Sequence, residues 1–217
     1  MGNESSLSVA MATEAAKKVE QFAAAFIPNR LADPTGEKFL PTTESLIPLS
    51  WNPGSPVSAR TLLLAAENRL EHIHEAILIC APPSIHKPPG ELTSSEIEIM
   101  VNDHIKGWFF LVKELAAIFR LRQTGTLALV LSELDAGGGK DETLDILRSP
   151  ASAAFRAFAQ SILTVSQDEP FQAMGFSAAA AADAGAFAAF VFKLLEEGGR
   201  RNNGKWHKFG KLGFFGR

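Results

Sequence analysis

Two apolar runs in the middle of the chain set the pattern. Ala76-Ile77-Leu78-Ile79-Cys80-Ala81 is closed by Pro82-Pro83, and Thr126 to Leu131 follows Gly125. Each is of strand length with no polar alternation, the mark of a strand buried on both faces in a parallel sheet covered by helices. Between them Ile97, Val101, Ile105, Trp108, Val112, Leu115 and Phe119 recur at helical spacing, after the helix-start residues Thr93-Ser94-Ser95-Glu96. Met100, Phe109, Phe110, Leu111 and Ile118 widen this stripe. The spacing predicts one helix from about Glu96 to Arg122 that covers the sheet and a second surface as well.

The flanks extend the alternation. Ser45 to Trp51 is a short extended segment closed by Asn52-Pro53-Gly54, and Pro56 opens a helix running to His72. Pro150 to Val165 predicts a helix, Phe171 to Ser177 a strand, Asp183 to Glu197 a helix, and Lys205 to Gly210 a last short strand. Near the start, Val19, Phe22, Ala23 and Phe26 share one helical face, so a helix is predicted from Thr13 to Phe26. Leu7 to Ala12 is either a preceding strand or that helix's first turns. Residues 27–45 read as an irregular connection. Residues 133–147 read as a loop around Gly137-Gly138-Gly139, with a short helix from Asp141. Strands alternating with helices predict a doubly wound parallel sheet in three α/β/α layers. Residues 1–44 are a divergent part of one single domain, and residues 45–217 form its core with a short C-terminal tail.

Composition narrows the class. The chain has 217 residues and a formal net charge of −3, which argues against a nucleic-acid surface. Cys80 is the single cysteine, so no intrachain disulfide forms, and a reducing, cytoplasmic setting fits. No secretory signal is evident. Gly2 satisfies the loose N-myristoylation pattern. The nearly uncharged stretch from Phe171 to Phe192 is interrupted by Gln172, Gly175, Asp183 and Gly185, so it reads as strand plus helix and not as a membrane span.

Three segments carry a resemblance. Ala76 to Pro82 stands where the short-chain dehydrogenases/reductases have a strand ending in Asn-Asn-Ala-Gly, of which Ala81 alone matches. His104-Ile105-Lys106-Gly107-Trp108-Phe109-Phe110 resembles their Asn-x-x-Gly-x-Phe helix. Ser149-Pro150-Ala151-Ser152-Ala153-Ala154-Phe155 is similar to their Tyr-x-Ala-Ser-Lys-Ala-Ala helix. The resemblance implies a single Rossmann-like domain that binds NAD(P). It also implies a site in which a tyrosine moves a proton, a lysine lowers that tyrosine's pKa, a serine orients the carbonyl and an asparagine holds a relay water.

The serine is matched by Ser132 and the asparagine is replaced by His104. Ser149 stands for the tyrosine and Ala153 for the lysine. A serine hydroxyl is a far weaker acid than a phenol, and alanine brings no cation to help it. The chain contains no tyrosine at all. Nor does it have a glycine between Gly2 and Gly36, where a glycine-rich turn would let the backbone approach a pyrophosphate. The candidate turn is Met11-Ala12-Thr13-Glu14. Thr13, Ser50, Asn52, Cys80, Ala81 and Pro82 are the candidate cofactor positions, and these departures argue against NAD(P) binding.

Other chemistry is weaker. Gly137-Gly138-Gly139-Lys140 lacks the earlier glycine and the following Ser/Thr of a phosphate loop. His72 and His74 have no further ligand cluster around them, so no metal is expected. Cys80 reads as a small buried thiol. Trp108, Phe109, Phe110, Phe155 and Phe158 lie on the two helices that pack across a two-fold axis in the family, and their apolar excess predicts a dimer or tetramer interface. The expected function is therefore a non-catalytic binding or assembly protein that pairs with itself or with an active homologue. Two alternatives stay open: an NAD(P)-dependent oxidoreductase with a rebuilt site, and a sensor holding a small molecule in the old cleft.

Overall fold

The computed structural model describes residues 6–25, 27, 44–132, 145–178, 182–199 and 201–210. Helix α1 (Ser6–Lys18) leads into strand β1 (Phe22–Ala25), and β2 (Leu46–Leu49) into α2 (Pro56–Leu70). Strand β3 (Glu75–Cys80) precedes α3 (Ser94–Val101), a π-helical turn (Asn102–Lys106) and α4 (Gly107–Arg122). Then come β4 (Thr126–Leu131), α5 (Arg148–Val165), β5 (Gln172–Ala178), α6 (Ala184–Glu197) and β6 (Lys205–Phe209). All strand pairs are parallel. They form the order β3-β4-β5-β6 and a separate pair β1-β2.

The apolar runs do what their composition dictates. Leu127 to Leu131 and Ala173 to Met174 are at most 1% exposed, with helices on both faces. One core lies against α2, α4 and α5, around Leu63, Leu115, Phe119 and Phe155. The other lies against α1 and α6, around Leu7, Met11, Phe187 and Val191. Successive strand residues feed alternate cores, as the pleat requires. The Rossmann-like three-layer α/β/α reading is thus the observed architecture.

Several expectations need correction. The first helix ends at Lys18, and Phe22, Ala23, Ala24 and Ala25 form a strand paired with residues 46–49. Leu7 to Ala12 are helical turns and not a strand. The predicted single helix over 96–122 is two α-helices joined by a π turn. Trp108 (4% exposed) and Phe155 (0%) fill the monomer core and cannot serve an interface. The short helix expected from Asp141, the Gly137-Gly138-Gly139-Lys140 segment and Gly2 lie outside the described residues.

Candidate functional site

The carboxyl ends of the parallel strands meet the start of α4 in one cleft. This placement begins with Gly107 and Asn52. Gly107 opens α4 so close to the turn at residues 52–54 that a Cβ there would lie 2.5 Å from Pro53 Cβ. That turn is set by Asn52, whose side-chain oxygen accepts from the Gly54 N–H at 3.2 Å and whose own N–H donates to Ser58 Oγ at 2.8 Å. The contact brings Trp51, at the end of β2, against Trp108, with ring centroids 5.5 Å apart. The π turn places His104 on the same side, and such widened turns recur at functional sites.

Three nitrogens in this cleft are buried without a hydrogen-bond partner: Trp51 Nε1, Trp108 Nε1 and His104 Nδ1. Such groups are uncommon and expensive in a folded protein. His104 is 7% exposed, and burial brings its pKa down to about 4, so the imidazole is neutral near neutral pH. Cys80 is fully buried, and desolvation pushes its thiol far up, opposed only in part by the Trp108 indole. A thiol held protonated is not a nucleophile. Ser132 is 2% exposed at the end of β4, its N–H donating to the Cys80 carbonyl at 2.9 Å.

The start of α5 lies against the loop after β3. Asp145 accepts from the Arg148 N–H at 3.0 Å and from the Ile85 N–H at 3.3 Å, tying the helix to the loop after β3. Arg148 also donates to Ser84 Oγ at 2.6 Å. Ser149 and Ala153 lie in the exposed first turns of α5, with Ala151 between them facing inward. Both lie at the beginning of α5. A serine hydroxyl is a far weaker acid than a phenol, and alanine carries no charge to shift it.

Two of the candidate cofactor positions, Thr13 and Asn52, are engaged in local hydrogen bonds. Thr13 lies inside α1, and its hydroxyl donates to the Val9 carbonyl at 2.8 Å. Glu14 is paired with Lys17. The expected strand-to-helix turn at residues 11–14 is helix throughout, so it is not a diphosphate cradle. Asn52 is committed to its turn, and Ser50 is exposed beside it. Ala81 is half-buried and Pro82 buried, just past β3. Among the described residues no group of three His, Cys, Asp or Glu side chains is arranged to hold a metal ion, and no helix is long and apolar enough to cross a membrane. Trp51 and the π turn escaped the sequence reading. The one signal for the former was an aromatic residue at the end of a short extended segment.

No protein-family model matches the sequence, and no curated protein matches it. Solved structures do match the fold. Levodione reductase superposes with a TM-score of 0.71 at 12% identity, over 93% of this chain and 91% of that one. A protein from Burkholderia xenovorans assigned to the short-chain dehydrogenases/reductases superposes with a TM-score of 0.72 at 10% identity, over 96% and 90%. The chain has the fold of the short-chain dehydrogenases/reductases.

Proposed function

We propose that this chain is a catalytically inactive protein on a short-chain dehydrogenase/reductase fold, with a role in binding or assembly. One observation carries the reading. The exposed turns of α5 present Ser149 and Ala153 where the resemblance calls for a proton-donating phenol and its activating amine. His104 does not make good the loss. With a pKa near 4 its imidazole is neutral at physiological pH and keeps one ring N–H, but it lacks the readily lost imidazolium proton. Self-association as a dimer or tetramer, or pairing with an active homologue, uses the half-exposed face of Phe109, Phe110 and Phe158. Phe109 is 53% exposed and its ring centroid lies 4.4 Å from that of Phe158.

The test is a thermal-shift and fluorescence titration with NADH and NADPH up to millimolar, followed by assays on carbonyl and alcohol substrates. A flat response is expected. Saturable cofactor binding with turnover would overturn the reading in favour of a rebuilt oxidoreductase.

A second reading, a small-ligand sensor, is favoured by the three unpartnered nitrogens of Trp51, Trp108 and His104. A ligand with two or three acceptors and a donor would satisfy them together. Native mass spectrometry of the purified protein would show such a ligand as a discrete added mass.

A further inference from the structure

We draw no further inference here: the strongest candidate, the apolar slot of about 820 Å³ between the facing edges of β1 and β3, carries none because nothing in the structure shows what fills it.

Discussion

Trp51 and Trp108 lie 5.5 Å apart at a 55° tilt; the Trp51 indole N–H reaches no acceptor, and the Trp108 N–H has only the weakly accepting Cys80 sulfur beside it. A buried donor without a partner costs about 1–3 kcal/mol, while truncating a buried tryptophan costs about 3–5 kcal/mol. Trp108→Phe should therefore leave stability within about 1 kcal/mol of the parent, because relief of the poorly met donor offsets the lost contact. Trp108→Ala should lose the full packing amount. Urea denaturation of the two variants separates the terms, and a large loss in the phenylalanine variant would show that the N–H is satisfied in solution.

His104 makes a signed prediction about pH. Its folded-state pKa is about 4 against an ordinary 6.5, so in the window between them the unfolded chain binds the proton and the folded chain does not. Stability should be unaffected by this group above pH 6.5 and fall as pH drops toward 4, by roughly 3 kcal/mol in all. His207 acts in the same direction, mainly through burial. Glu96 works in a lower window. Lys87 and Thr93 hold its carboxyl down to about 2, so its contribution is lost between pH 4.5 and 2. His104→Gln should make the upper window shallower, leaving the part due to His207, and should not change the lower window in a series of thermal melts.

Cys80 is fully buried with its thiol held protonated. Iodoacetamide at neutral pH should modify it only at the rate at which the protein opens. Mass spectrometry should show labelling that accelerates at least a hundredfold in denaturant.

Gly107→Ala should destabilise by about 1–3 kcal/mol even though alanine is the better helix former, because the new methyl meets Pro53 at 2.5 Å. It should also shift tryptophan fluorescence, since the same contact seats Trp51 against Trp108.

The aromatic face of α4 and α5 gives a prediction about assembly. Phe109→Glu, at a site 53% exposed, should leave the melting temperature of the monomer nearly unchanged. Light scattering should show a shift from dimer or tetramer to monomer, and an unchanged mass would remove this face as the interface.

The strands with the clearest sequence signal were the two uninterrupted apolar runs. Ala76 to Cys80 and Thr126 to Leu131 read correctly because uninterrupted apolar residues of that length have little else to do. Phe22 to Ala25 did not, since three of its four residues are alanine, a helix former, and its strand state depends on pairing with Leu46 to Leu49, remote in sequence. The π turn was hidden because one extra residue barely disturbs a helical stripe as broad as this one. Trp108 and Phe155 were misassigned for a related reason. Periodicity shows that a helix has two apolar sides, but not that both sides are covered within one subunit. The positions of Ser149 and Ala153 on α5 were legible, whereas the unpartnered nitrogens were not, because hydrogen-bond satisfaction is a property of the assembled cleft.

Unpaired strand edges ordinarily invite runaway stacking, each added chain offering a fresh edge to the next. Here the bare edges of β1 and β3 look inward at each other under a roof and floor of helices. Among the described residues these edges are therefore turned away from solvent, where they cannot seed fibrils.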